Sequence, residues 1–343
     1  MTFLRKSLLL VAGVILAALL VIAGPPVVFL AAVWWNDERE PLPAEAAGRG
    51  DASRLNTGQP AEVLAIDAEA AERQVADLVL RAAREGRKIS IAGARHSMGG
   101  HTLYPGGIAL DMLPFRNMSL DEARKIFTVG AGARWSEVIP FLDARGLAVA
   151  VMQANNDFTV GGSVSVNCHG WQPSSPPIAS TVEAFRLVTA DGREMRCSRT
   201  ENAELFSLAL GGYGLFGVIL NVELRVTPNA FYRAKSERVT PADYARRFRE
   251  LTATDDTGLA YGRISVAPES FLREAVITTL RREETGRAFA NTLTSKKPEV
   301  LKRLVFRGSV GSDYGKNLRW RLERLVGETG GAVLSRNQIM NEP

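Results

Sequence analysis

The spacing of hydrophobic and polar residues along the chain predicts alternating strands and helices. Val63–Ile66 is apolar enough for a strand, and from Glu69 to Glu85 apolar residues recur on one face of a helix. Gly86 ends that pattern, and Asp67 is the predicted N-cap. Lys88–Ile91 then alternates polar and apolar residues, as a half-buried strand does. The predicted order of strand, helix and strand leads directly into a glycine-rich segment.

The same kinds of pattern continue to the C-terminal part of the chain, so the fold class is α+β. An Asp191-Gly192 turn predicts a hairpin, and the pattern changes after Thr227-Pro228-Asn229, where a second domain begins. The predicted strands are Ile126–Val129, Val182–Ala190, Glu194–Cys197, Val218–Val226, Phe231–Val239, Leu259–Val266 and Ala275–Leu280. The predicted helices are Trp135–Ala144, Ala203–Leu210, one opened by Thr240-Pro241, and Leu318–Val326.

The first glycine-rich segment, IAGARHSMGG, runs from Ile91 to Gly100. Its glycines allow backbone angles that other residues avoid, so successive N–H groups can converge on a phosphate. His96 and Ser97 lie in the middle, where the imidazole would face a bound ligand. On this segment alone, a tight connection with a solvated or hydrogen-bonded histidine remains an alternative.

The second segment, TVGGSVSVNCHG, runs from Thr159 to Gly170. Gly161 and Gly162 are followed by small residues, which would let a large planar ligand approach the backbone closely. A buried turn is the alternative. It does not account for the polar residues that share this segment, namely Ser163, Ser165, Asn167 and His169.

The third segment, GGYGLFG, contains Gly212, Gly214 and Gly217 in the spacing G-x-G-x-x-G. A Rossmann fingerprint must leave a strand and open a helix. Here the predicted order is helix, loop and strand. The pattern therefore argues against a nicotinamide-binding Rossmann domain, although the loop can still lie against a nucleotide.

Taken in order, the three segments resemble the FAD-binding domain of the vanillyl-alcohol oxidase / p-cresol methylhydroxylase (PCMH-type) family over about residues 61–228. GARHSMG, Gly93–Gly99, resembles the family's loop at the FAD pyrophosphate. The resemblance places His96 at the position that is often bonded to the flavin 8α-methyl group. Thr159–Gly170 and Gly214–Ile219 resemble the second and third family motifs. His169-Gly170 and the strand from Val182 bring the chain nearest to the sugar-lactone and alditol oxidases.

The resemblance implies an FAD-linked enzyme that oxidises a CH–OH group of a small, sugar-like alcohol or aldonolactone and passes electrons to oxygen or a quinone. It implies FAD held covalently by His96. The implied cofactor-binding residues are Gly93, Ala94, Arg95, His96, Ser97, Met98, Gly99, Thr159, Gly161, Gly162, Ser163, Ser165, His169, Gly214, Gly217, Val218 and Ile219.

Arg95 would disfavour a second positive charge on His96 and would pair with the FAD pyrophosphate; an ordinary surface arginine is the alternative. Neither Cys168 nor Cys197 occupies the position of a second flavin tether. The chain stops at Pro343, before the family's return to the flavin domain, so it resembles a truncated product and no catalytic base is assigned. A catalytically inactive flavin-binding or scaffold module is therefore a second hypothesis.

A metal-binding surface protein is a third hypothesis, because His96, His101 and His169 all lie in glycine-containing segments. His96 and His101 are five residues apart, which is not the i, i+4 spacing of a helical zinc site, and no cysteine or acidic partner follows at a ligand spacing. We therefore assign no metal ligand.

The N-terminal pattern predicts a membrane anchor. Ser7–Trp35 is an uncharged run of 29 residues, longer than the ~20 that a spanning helix needs. Arg5 and Lys6 precede it and mainly acidic residues follow, so the positive-inside rule places the N-terminus in the cytoplasm and the soluble domain outside. A cleaved signal peptide is the alternative. The predicted organisation is an anchor over 1–40, a flexible stalk over 41–60, the FAD-binding domain over 61–228 and a partial substrate-covering (cap) domain over 229–343.

Composition and charge fit this organisation. The 343 residues are 46% hydrophobic and carry a net charge of +5. Lys296–Pro343 holds ten Lys or Arg against five Asp or Glu and so accounts for the whole net charge. A solvated face is favoured over anionic lipid for this segment. No nucleic-acid-binding module is recognisable.

Overall fold

The computed structural model describes residues 21–36, 50–52, 59–294, 300–328 and 331–342 of the chain. Residues 21–36 form a helix, α1. The strands of the described residues form three sheets. The predicted stalk, residues 41–60, and residues 7–20 of the predicted membrane span fall largely or wholly outside the described residues. Within the described part of the chain, no helix is both long and apolar enough to cross a bilayer.

The first sheet is parallel and has the order β1-β3-β2, with β1 at Glu62–Ala65, β2 at Ile89–Ala92 and β3 at Ile108–Asp111. Helix α2, Ala71–Arg84, connects β1 to β2 and buries Val75 and Leu78. It also contacts two strands of the second sheet. Because β2 and β3 are parallel, the loops that follow them leave the same edge of the sheet.

The helix α2 begins later than the sequence predicts, and the assignment of Asp67 as its N-cap was wrong. The N-cap is Ala70, which has no side-chain capping bond. Asp67 Oδ1 instead accepts a hydrogen bond from Glu69 N at 3.0 Å. This local turn uses the aspartate side chain before the helix starts.

The second sheet is antiparallel in the order β4-β5-β9-β7-β8, with β6 paired to the end of β9. Its strands are β4 (Met118–Asp121), β5 (Ile126–Gly130), β6 (Leu147–Val149), β7 (Val182–Val188), β8 (Glu194–Ser198) and β9 (Val218–Pro228). Its helices are α3 (Trp135–Asp143), α4 (Val160–Ser165) and α5 (Ala203–Ala209). The predicted β7–β8 hairpin is confirmed, and Gly192 takes φ +78° in its turn. The order α5, glycine loop, β9 confirms that the third segment is not a Rossmann turn.

The third sheet, with the order β11-β12-β10-β13, is antiparallel and lies in the C-terminal part of the chain. Its strands are β10 (Phe231–Val239), β11 (Thr257–Ile264), β12 (Ala275–Arg282) and β13 (Val333–Ser335). The helices here are α6 (Pro241–Thr252), α7 (Val300–Gly308), α8 (Asp313–Glu328) and α9 (Arg336–Met340). Thr240 is the N-cap of α6, as predicted, and accepts from Asp243 N at 3.2 Å.

A buried aspartate at the end of α3 joins the second sheet's elements to the C-terminal part of the chain. The Asp143 carboxylate accepts hydrogen bonds from Thr292 N and Oγ1, Leu293 N, and the side-chain amides of Asn229 and Asn337. Distances range from 2.6 to 3.2 Å. This single carboxylate therefore fixes three separate chain segments around α3.

Both cysteines are free and buried. Burial raises the pKa of the Cys168 thiol to about 11 and also raises the pKa of Cys197. Since the thiolate is the reactive form, we expect neither cysteine to react with a maleimide in the native protein at neutral pH and both to react after unfolding. Mass spectrometry of the labelled protein measures this. Rapid native labelling of Cys168 would contradict the buried position.

Candidate functional site

The three glycine-containing segments meet around one cavity of about 350 Å³. It lies where β2, β3 and β5 end and where β9 begins, with α4 on one side. From the predicted set, the lining residues are Gly93, Ala94, Arg95, His96, Ser97, Met98, Thr159, Gly161, Gly162, Ser165, Gly214, Gly217 and Ile219. The fold therefore brings together segments that are up to about 120 residues apart in the sequence.

Four predicted residues do not line this cavity. Ser163 is buried in the core, where it accepts from Trp135 Nε1 at 2.9 Å and donates to the Thr159 carbonyl at 2.8 Å. Val218 is a core residue of β9. Gly99 and His169 are exposed and lie outside the lining.

The second segment differs from its prediction as a loop. Thr159 is an N-cap whose side chain accepts from Gly162 N at 3.3 Å, and residues Val160–Ser165 form α4. A Cβ at Gly161 would lie 2.7 Å from Ala131 Cβ, and a Cβ at Gly93 would overlap the Thr159 side chain. These two glycines therefore let protein segments pack closely on each other.

The loop after β2 has the backbone of an anion site. Arg95 takes the left-handed conformation at φ +58°. Among the described residues, the N–H groups of residues 94–99 donate to no protein acceptor. A run of undonated N–H groups around a left-handed residue can bind an anion such as a phosphate.

The Arg95 side chain lines the same cavity and is only 9% exposed. Its nearest ionic partner, Asp111 Oδ2, is 3.7 Å away, and within the described structure Nη1 and Nη2 make no hydrogen bond. Arg95 is thus not an ordinary surface residue. A buried guanidinium without hydrogen bonds is costly, so the site fits an anionic group that would accept from it.

His96 lies in the same loop, and its side chain is 29% exposed. Its ring stacks on Phe158 at a centroid distance of 4.6 Å and an angle of 28°. Asp157 Oδ2 lies 3.7 Å from His96 Nε2, and Asp157 Oδ1 lies 3.5 Å from Arg134. The charged group placed against the imidazole is therefore Asp157, where the sequence analysis expected Arg95.

A second aromatic pair lines the cavity. The rings of His101 and Tyr213 are 5.5 Å apart, and Tyr213 takes φ +52° in the third segment. His101 was considered only as a metal ligand in the sequence analysis, and Tyr213 was not singled out. In the described part of the chain, no group of three or more His, Cys, Asp or Glu side chains is arranged to hold a metal.

Asp51 was missed because it precedes the first loop by more than 40 residues. It is buried, and its Oδ2 accepts from Ser97 Oγ at 2.8 Å and from Gly100 N at 2.7 Å. Ala52 N donates to the Arg95 carbonyl at 2.8 Å. Residues 50–52 thus brace the loop that carries His96. No local sequence signal marks Asp51 for this role.

Comparison with known proteins identifies a known domain in part of the chain. Residues 65–198 match the FAD binding domain. The mouse (Mus musculus) L-gulonolactone oxidase is 31% identical over 155 residues, which is 45% of this chain and 35% of that protein. Cytokinin dehydrogenase 2 of Arabidopsis thaliana is 28% identical over 197 residues, or 56% of this chain and 38% of that protein.

An uncharacterized oxidoreductase of Rhodococcoides fascians is 34% identical over 159 residues, or 45% of this chain and 36% of that protein. The matches thus span little more than a third of the length of these relatives. The cavity is lined by the buried Arg95 guanidinium and by a loop whose N–H groups donate to no acceptor among the described residues, which suits the phosphates of FAD. The matched FAD binding domain and these relatives agree with the resemblance of residues 61–228 to the PCMH-type FAD-binding domain.

Proposed function

We propose that this protein is an FAD-dependent oxidoreductase that oxidises a CH–OH group of a sugar-like alcohol or aldonolactone. The observation that carries the proposal is the cavity itself, which is lined by the buried Arg95, by His96 and by residues 94–98, whose backbone N–H groups donate to no acceptor among the described residues. The substrate class is supported by relatives named L-gulonolactone oxidase. The electron acceptor is oxygen or a quinone.

In this proposal, bound FAD supplies the group that accepts two electrons from the substrate. Arg95 and the backbone amides of the first loop would hold the pyrophosphate as hydrogen-bond donors. Phe158 fixes the plane of the His96 ring, and Asp51 holds the loop in place through Ser97. Asp157 Oδ2 lies 3.7 Å from Nε2 of His96, so Nδ1 would be the ring nitrogen available for a covalent link to the flavin.

Replacing His96 with alanine tests the covalent link. We expect flavin to remain with the acid-precipitated wild-type protein and to be released into the supernatant from the His96→Ala protein. His101→Ala is the matched control, because His101 lines the same cavity. The flavin of this variant should remain in the pellet. Release of flavin from the wild-type protein would contradict the covalent link but would still support FAD as the cofactor. Failure of the refolded wild-type protein to take up added FAD contradicts the cofactor assignment itself.

Anaerobic mixing with aldonolactones and sugar alcohols tests the reaction. Bleaching of the flavin absorption by one of these compounds supports the proposed enzyme. A flavin that stays oxidised with all of them, while it remains reducible by dithionite, favours an inactive flavin-binding module.

We also propose that Ser7–Trp35 anchors the protein in a membrane with its N-terminus in the cytoplasm. The support is the 29-residue uncharged run and the two basic residues, Arg5 and Lys6, before it. Protease protection of an N-terminal tag in sealed vesicles tests this orientation.

A further inference from the structure

Helix α1 packs along one side of the C-terminal helices. The ring of Phe29 meets Tyr314 of α8 edge-on, with centroids 5.0 Å apart and an interplanar angle of 68°. A Cβ at Gly308, the last residue of α7, would lie 2.7 Å from Phe29 Cε1 and 3.1 Å from Val33 Cγ2. A Cβ at Gly315 of α8 would lie 3.0 Å from Phe29 Cζ. Two glycines, one on each helix, thus form the seat for Phe29.

The faces of α1 that do not contact α7 and α8 are apolar and exposed. Val21, Ile22, Val27 and Val28 are between 63% and 74% exposed, and no charged residue occurs between positions 21 and 35. An exposed apolar surface of this extent is unusual for a helix that contacts water, and it marks an interaction site. Continuity with the uncharged residues that precede Val21 in the sequence indicates that the same environment covers both.

Helix α7 adds both apolar and basic side chains beside this helix. Phe306 is 57% exposed, and Val310, just after α7, is 73% exposed. Lys302, Arg303 and Arg307 belong to the same helix. Apolar residues beside Lys and Arg on one helix are typical of a surface that lies at the interface of an anionic bilayer.

The packing of α1 on α7 determines how far α7 lies from the bilayer. Phe29 precedes Trp35 by six residues, which is about 9 Å along a helix axis. If the uncharged run enters a bilayer, the helix that seats Phe29 is brought to the headgroup region with it. A bilayer is favoured over a second copy of this chain as the occupant, because the uncharged sequence continues from α1 toward the N-terminus for a length that a bilayer would cover.

We propose that α1, α7 and the turn from Ser309 to Ser312 form one membrane-facing surface, which holds the folded body flat against an anionic bilayer. This inference rests on the proposed anchor but not on the proposed oxidation. It gives the folded domains a fixed orientation relative to the membrane. The sequence alone favours a solvated face for the basic C-terminal segment. The docking of α1 on α7 and α8 is the reason to propose otherwise.

A depth-dependent quenching experiment tests the surface. The full chain carrying Val310→Cys is labelled with bimane, which should leave the buried native cysteines unmodified, and reconstituted into phosphatidylcholine–phosphatidylglycerol vesicles that contain brominated lipid. We expect bimane at position 310 to lose most of its emission. Bimane at Arg193→Cys, in the exposed β7–β8 turn, should keep its emission. Flavin absorption is recorded on the same samples, so loss of the cofactor is seen separately.

A second variant tests the role of the α1 seat. Gly308→Val should displace Phe29, so that the protein still sediments with vesicles while quenching at position 310 is lost. Equal quenching at positions 310 and 193, or unchanged quenching in Gly308→Val, overturns the proposal. Protection of the probe at position 310 by dimerisation without vesicles also overturns it and identifies a second copy as the occupant.

Discussion

Replacing Asp143 with alanine should lower the free energy of unfolding by about 3–5 kcal/mol, because a hydrogen bond to a charged group contributes about 1.5–3 kcal/mol and several such bonds are lost together. The side chain is 3% exposed. Without the carboxylate, the Thr292 and Leu293 N–H groups lose their acceptor. The side-chain amides of Asn229 and Asn337 each lose one acceptor and keep a backbone carbonyl. An unsatisfied buried donor costs about 1–3 kcal/mol, so partial relaxation still leaves a large effect.

Urea unfolding followed by tryptophan fluorescence measures this change. Asp143→Asn retains one acceptor oxygen and should fall between the wild type and the alanine variant. Asp191→Ala in the exposed hairpin turn is the control for removing a carboxylate and should change the midpoint little, because its partners are solvated. A midpoint for Asp143→Ala equal to that of Asp191→Ala would show that the network contributes nothing to folding.

Elements with a long, regular hydrophobic pattern were predicted well from the sequence. The strand Phe231–Val239 has the predicted bounds, and α2 differs from its prediction only at the ends. The short elements β13 and α9 were not predicted, because three to five residues carry no clear period. Distant contacts determine their position instead, as when the buried Arg336 donates to the carbonyl of Val149.

The parts of the candidate site that lie in glycine-rich segments could be predicted from the sequence. The side chains that reach the site from other segments could not. His96 and Arg95 lie inside a recognisable loop, and the structure places both at the cavity. Asp51 and Asp157 have no motif of their own, and their contacts with the loop depend on tertiary packing. Ser163 looked like a site residue because its neighbours do, but the first turn of α4 points it at Trp135.

Replacing Arg95 with methionine should affect the flavin-free and the flavin-bound protein in opposite directions. Nη1 and Nη2 of the buried guanidinium make no hydrogen bond within the described structure, and the ionic contact with Asp111 is 3.7 Å long. Because burying a poorly compensated charge is unfavourable, its loss should leave the thermal stability of the flavin-free protein unchanged or higher. A hydrogen bond to a charged group contributes about 1.5–3 kcal/mol, so the affinity for FAD should fall about 10- to 100-fold. Methionine has the length of the arginine stem and no greater difficulty with the left-handed backbone at this position.

The affinity has to be measured in the His96→Ala background, so that binding is reversible; titration of flavin fluorescence then gives Kd for FAD. Arg95→Lys is the matched variant: it keeps the charge but loses the forked donors, and its Kd should lie between those of the arginine and methionine proteins. Riboflavin, which lacks the pyrophosphate, should bind equally to the proteins with and without the Arg95→Met substitution. A fall in the stability of the flavin-free Arg95→Met protein with an unchanged Kd for FAD would make Arg95 a structural partner of Asp111, and the phosphates would then lie elsewhere in the cavity.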